Sequence, residues 1–126
     1  MPAQRHYSPV DRLIANFDQG IRTLFGRPDT TGRPNPADAQ PDEPLSPADK
    51  AESARLMRVN HTGEVCAQAL YQGQALTARL EAVRDNMERA AREENDHLAW
   101  CEYRVEELGS HTSYLNPFFY TGSFML

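Results

Sequence analysis

The chain reads as all-α, a helical bundle built on a long antiparallel helix pair, and three observations predict it. Eight of the nine prolines lie before residue 48, so the remainder is free to form long uninterrupted helices. Two segments open on the same start signal, Ser8-Pro9-Val10-Asp11 and Ser46-Pro47-Ala48-Asp49. Each combines a capping hydroxyl, a proline in the first turn and an early carboxylate at the positive end of the helix. No stretch alternates apolar and polar residues as a half-buried strand would.

Residues 8–27 form the first helical unit. Val10, Leu13, Ile14, Phe17, Ile21, Leu24 and Phe25 fall on one stripe, Arg12, Asp18 and Arg22 fall largely elsewhere, and Gly26 ends the helix. Such a helix either docks its stripe on a protein core, the favoured reading, or lies on a membrane surface. Residues 28–46 are rich in Pro, Asp and Thr with Leu45 the single large apolar side chain, so they read as a linker unable to offset its ordering entropy by burial. The second helix runs from Pro47 to about Arg79, about 50 Å at 1.5 Å per residue, with Gly63 and Gly73 as weak points. The third runs from about Leu80 to Leu108, with Gly109 suited to the cap. A turn near Thr77–Glu81 is short enough to force an antiparallel hairpin. Asn116-Pro117 restarts a helix through Phe118, Phe119, Tyr120, Phe124, Met125 and Leu126. From Thr112 onward there is no Asp, Glu, Lys or Arg, and so apolar a segment needs a cover. The chain therefore divides into 1–27, an amphipathic helix; 28–46, a Pro-rich linker; and 47–126, a helical domain.

Composition excludes several function classes. Thirteen Lys and Arg against eighteen Asp and Glu give a net charge of −5 with no basic cluster, so nucleic acid is not an expected partner. Cys66 and Cys101 are too few and too far apart for a disulfide framework and point to a reducing compartment. No targeting segment is expected, and no apolar run approaches the roughly 20 residues that cross a bilayer. A compact part of about 80 residues buries only roughly 60–65% of its unfolded surface, so a metal, a partner or further chain is expected to support it.

The third helix places Val83, Met87, Ala90, Glu94, His97, Cys101, Val105 and Leu108 on one face. Two ionisable groups thus interrupt its apolar stripe, and a carboxylate buried there needs a cation or a strong donor. On the second helix a step of about 100° per residue brings Met57, His61, Glu64, Gln68, Tyr71 and Ala75 onto one face. If the two faces pair, Glu64 meets Glu94-x-x-His97, which is half of a dimetal carboxylate site. Oxygen donors with imidazole suit iron or manganese, and the lack of an inward thiolate pair argues against structural zinc. A bare Glu-x-x-His is weak, and its placement on an apolar stripe opposite a matching Glu is what gives it weight. His61 is read as a packing or hydrogen-bonding neighbour outside the site. Cys66, Cys101, Tyr71, Trp100 and Tyr103 are read as packing residues.

Arg58-Val59-Asn60-His61-Thr62-Gly63-Glu64, Tyr71-Gln72-Gly73-Gln74 and Glu93-Glu94-Asn95-Asp96-His97-Leu98 resemble the demethoxyubiquinone hydroxylases of ubiquinone biosynthesis. Leu115-Asn116-Pro117 and Gly122-Ser123-Phe124 extend the match to essentially the whole chain. The resemblance implies a ferritin-like di-iron monooxygenase that hydroxylates the ring of a polyprenylated demethoxyubiquinol with O₂. It implies two iron ions per complete site, with Glu64, Glu94 and His97 as metal ligands and Glu94 as the bridging carboxylate. It also implies peripheral attachment to the cytoplasmic side of the cell membrane, with the segment from Pro117 toward membrane and quinone tail, and the company of other ubiquinone-biosynthesis proteins.

Family members continue with two further core helices that bear a Glu and a second Glu-x-x-His. The chain is therefore expected to be the N-terminal portion of the hydroxylase, about half of the bundle, with 47–126 an incomplete ferritin-like di-iron domain inactive alone. A homodimer that completes the site in trans with four Glu and two His, and a metal-free helical interaction module, are the competing readings.

Overall fold

A computed structural model of the chain describes residues 5–126; residues 1–4, where Pro2 and the start of the first predicted segment fall, lie outside the described residues. The described residues form helices α1 (Pro9–Phe25), α2 (Pro47–Thr77), α3 (Glu81–Glu107) and α4 (Asn116–Met125), with a short 3-10 turn at Pro36–Ala39 and no strand. The all-α expectation holds, and the arrangement fits a ferritin-like helical bundle.

Both start signals act as the sequence predicts. Ser8 Oγ accepts from the Asp11 amide at 3.2 Å while the Asp11 carboxylate accepts from the Ser8 amide at 2.8 Å, a reciprocal cap that satisfies two otherwise orphaned donors. Ser46 Oγ accepts from the Asp49 amide at 3.1 Å and opens α2. Residues 78–80 turn the chain, and α3 returns antiparallel along α2. Gln68 in α2 donates to Asn95 in α3 at 3.0 Å midway along the pair. Gly109 closes α3 at φ +73°, a left-handed conformation that a side chain would strain, and the Ser110 amide then reaches the Val105 carbonyl at 3.0 Å. Arg58 holds the following loop through the His111 carbonyl at 2.9 Å and Ser110 Oγ at 2.6 Å.

The apolar core is small: Val65, Ala69, Leu98 and Tyr120, with Leu24 and Phe124 packed against it. Helix α4 crosses α2 so closely that a Cβ at Gly73 would stand 2.6 Å from the Phe124 carbonyl oxygen. Gly73 is thus a crossing point as well as a weak point. Gly20 does the same for α1, where a Cβ would lie 3.1 Å from the Tyr120 hydroxyl. That hydroxyl donates to Gln72 Oε1, and burial pushes its pKa up to about 12.

Three expectations need correction. Helix α1 does dock on the protein, but through its small and polar face, with Leu24 the one member of the stripe packed on the core. Gly20 and Thr23 are buried and Asn16 donates to the Gln72 carbonyl at 3.3 Å, while Val10, Leu13, Ile14, Phe17, Ile21 and Phe25 point outward, Phe17 at 72% exposure. Close approach to Tyr120 requires the glycine side, and that requirement turns the stripe away. Second, the linker is held by polar groups. Asn35 caps the 3-10 turn at 3.0 Å, and Thr31 and Arg33 bind Asp96 of α3. Hydrogen bonds to a buried charge offset ordering entropy where apolar burial does not. Third, the inward face of α3 is rotated slightly from the predicted stripe. Val83 is exposed and Met87 and Cys101 are half-buried, while Asn95, Asp96 and Leu98 are buried. Tyr103 is also exposed, so it does not pack as expected.

Two glycines of α2 should respond oppositely to alanine. At Gly63 no atom lies within 4 Å of the new Cβ, so Gly63→Ala should stabilise by about 0.5–1 kcal/mol from helix propensity. Gly73→Ala must displace the α4 backbone and should destabilise by about 1–3 kcal/mol in urea unfolding.

Candidate metal centre

Glu64 lies at the edge of the buried arc of α2, and Glu94 and His97 lie one turn apart on α3, three residues being nearly a full helical repeat. Antiparallel pairing brings the three together. One ligand atom from each of Glu64, Glu94 and His97 falls within 4.8 Å of the other two. His97 Nδ1 stands 3.4 Å from Glu94 Oε1 and 3.6 Å from Glu64 Oε2. The sequence-predicted constellation is therefore assembled, and among the described residues it is the only group of three such side chains close enough for one ion.

Burial differs across the group. Glu94 is 9% exposed, whereas the His97 side chain is 43% exposed. His97 was expected inside; it stands at the open margin of the α2–α3 face, where a pair of helices leaves one flank uncovered. Among the described residues no Lys or Arg nitrogen approaches within 4 Å of Glu64 or Glu94, and the His97 ring nitrogen is the near partner both carboxylates share. A buried carboxylate so poorly neutralised is costly without a positive ion.

The neighbours tune the cluster without joining it. Burial, helped by the Glu64 charge, pushes the Cys101 thiol up to about 11, so it stays protonated at neutral pH and is a poor ligand. Cys66 and Cys101 are both free. His61 is buried beside Asn116, whose Nδ2 lies 3.4 Å from His61 Nδ1, and the Asn116 carbonyl oxygen accepts from Thr62 at 2.9 Å. Burial pulls the His61 pKa down to about 4, which keeps the ring neutral. A groove of about 810 Å³ between α1, α2 and α3, touched by Arg12, Gln72, Arg84 and Asn95, includes none of the three.

Reading the sequence missed two groups around the site. Gln68 and Asn95 form a buried amide pair one turn from Glu64 and beside Glu94. Asp96, completely buried, collects the Thr31 amide at 2.7 Å, the Thr31 hydroxyl at 2.6 Å and Arg33 Nε at 3.1 Å. Burial alone would raise the Asp96 pKa, but these donors outweigh it and hold the carboxyl below the usual range. The signal was an acid next to His97, with Arg and Thr in a linker, and nothing local joins residues 31–33 to 96.

A helical pair presenting two glutamates and a histidine at one point defines the class, a helical-bundle protein, or a part of one, with a group that could hold a metal ion. The family model described as Ubiquinone biosynthesis protein COQ7 matches residues 51–126, and the chain belongs to that family. Its relatives include proteins named 3-demethoxyubiquinol 3-hydroxylase from Nitrosococcus oceani, 60% identical over 97% of this chain, and from Pseudomonas fluorescens strain Pf0-1, 60% identical over 98%. The chain spans 57% and 58% of the length of these two. No solved structure matches it.

The buried neutral imidazole predicts an acid-sensitive stability. The unfolded His61 takes up its proton near pH 6.5 and the folded one near 4, so stability is full above 6.5 and is lost as pH falls toward 4. The loss attributable to this group should reach roughly 3 kcal/mol at most, and His61→Asn should remove that component of the slope in urea titrations from pH 7 to 4.

Proposed function

We propose that this chain carries half of the metal centre of an iron-dependent hydroxylase acting on the ring of a polyprenylated demethoxyubiquinol in ubiquinone biosynthesis. The observation that carries the reading is the meeting of Glu64, Glu94 and His97 within 4.8 Å, in a chain 60% identical to proteins bearing the hydroxylase name. The residues fit the ion: two oxygen donors and one imidazole suit iron, and the buried Glu94 lacks any Lys or Arg partner among the described residues. Bound iron would supply the redox chemistry of O₂ activation, which no side chain here can perform. Glu64, Glu94 and His97 would hold the iron from the α2–α3 side, with His97 Nδ1 already facing both carboxylates. A complete two-iron site takes four carboxylates and two histidines, so three donors are the contribution of this chain.

Peripheral attachment to the cytoplasmic side of the cell membrane is part of the same proposal. No helix of the described residues is long and apolar enough to cross a membrane. The outward stripe of α1, together with exposed Phe118, Phe119 and Met125 of α4, has the amphipathic character of a surface that rests on lipid and receives an apolar tail.

Anaerobic Fe(II) titration read by native mass spectrometry tests the metal reading, with unfolding followed in parallel. At a hundredfold excess over Kd, iron should raise the unfolding free energy by about 2.7 kcal/mol, and Glu94→Gln should abolish that gain. A dimer holding two irons would favour completion in trans. An iron-free chain in which Glu64→Gln and Glu94→Gln raise stability would favour a metal-free interaction module, since two poorly paired carboxylates would then only cost energy.

A further inference from the structure

The matched family region begins at residue 51, so α1 and the linker lie outside it, yet the linker is anchored on the segment of α3 that carries two of the three clustered ligands. Asp96 sits between Glu94 and His97 in sequence, but 200° around the helix from Glu94, so it faces away from Glu64. That far side is where residues 31–33 cross. The carboxylate is completely buried, and its two oxygens take the Thr31 amide, the Thr31 hydroxyl and Arg33 Nε. The Arg33 guanidinium also lies 5.2 Å from the centre of the Trp100 ring, and Trp100 in turn sits 5.6 Å from the His97 ring. One arginine therefore grips the turn at two points, one before His97 and one a turn beyond it.

We propose that Thr31 and Arg33 are positioning residues that fix the rotation of the Glu94–His97 turn, so that both side chains face Glu64. The physical need is specific. A helix paired with a single neighbour can roll about its own axis, and the small core of Val65, Ala69, Leu98 and Tyr120 offers few bulky knobs to prevent it. The His97 side chain is 43% exposed, and its ring lies 5.6 Å from that of Trp100. A charged, doubly anchored strap on the opposite face stops the roll: turning the helix would pull Asp96 off three donors at once, two charge-assisted bonds from Thr31 and one from Arg33. In this respect the linker works like the outer hydrogen bonds that orient metal ligands in general.

The proposal deepens the metal-centre reading and rests on it for its purpose, but the geometry can be tested without metal. In the metal-free chain, nuclear Overhauser contacts between the His97 ring and the Glu64 γ-protons should be present in the wild type and lost in Arg33→Ala. Thr31→Val, which keeps the backbone donor, should weaken them partly. Arg33→Lys keeps the ion pair without the planar stack and should restore them partly. Gly73→Ala, which loosens α4 far from the strap, should leave them intact, and this separates positioning from general loss of stability. Retention of the contacts in Arg33→Ala, or their equal loss in Gly73→Ala, would overturn the proposal. Cobalt(II) titration of the same proteins, followed by fluorescence of the single tryptophan, Trp100, should show affinity falling about tenfold or more in Arg33→Ala. A wild type that shows the contacts but binds no cobalt would count against the metal centre and leave the strap standing.

Discussion

Burial of the Glu94 carboxylate between α2 and α3 is the constraint around which the rest of the molecule is arranged. A charge removed from water must find a counter-charge and donors, and here neither a lysine nor an arginine among the described residues supplies them. His97 Nδ1 faces it at 3.4 Å, while Glu64, a second carboxylate on the same group, adds to the need for a positive ion. The stretch around this cluster is correspondingly polar: the next layer along the pair is the Gln68–Asn95 amide pair. One oxygen of Gln68 and the Gln72 amide nitrogen have no partner among the described residues, so the interior is built for placement of polar groups more than for apolar density.

What holds such an interior together is close backbone approach and peripheral strapping. Gly73 and Gly20 let α4 and α1 come within contact of α2 and of Tyr120, and Tyr120 completes the layer by donating to Gln72. Arg58 ties the loop after α3 back to α2, and Arg33 ties the linker to α3. Each is a charge-assisted or doubly bonded contact, the kind that adds most per residue when apolar area is scarce. The same geometry leaves the apolar stripe of α1, apart from Leu24, exposed in the described fold and similar in character to the exposed aromatic residues of α4.

Much of this was legible in advance because it depends on local chemistry. The two Ser-Pro starts, the glycine ending α3 and the three-residue spacing of Glu94 and His97 follow from backbone capping and the 3.6-residue repeat, so reading one strand of sequence suffices. The pairing of Glu64 with Glu94 and His97 was also accessible, since a short turn leaves an antiparallel hairpin as the sole arrangement for two long helices. The donor types narrowed the metal to iron or manganese and the first helix left a membrane surface open, whereas the quinol came from resemblance alone, since periodicity carries no substrate.

By itself the sequence determined where helices begin and end, their antiparallel pairing and the clustering of Glu64, Glu94 and His97, because each follows from contacts within a few residues or from one hairpin. Only the tertiary structure decided which face of α1 turns inward, since an apolar stripe predicts burial and the steric demand of Tyr120 at Gly20 overrides it. Only it could join Thr31 and Arg33 to Asp96, more than sixty residues away, where burial of a charge rather than apolar area orders the linker. And only it could show His97 at an open margin, because exposure depends on what else packs against a helix, which no single helix encodes.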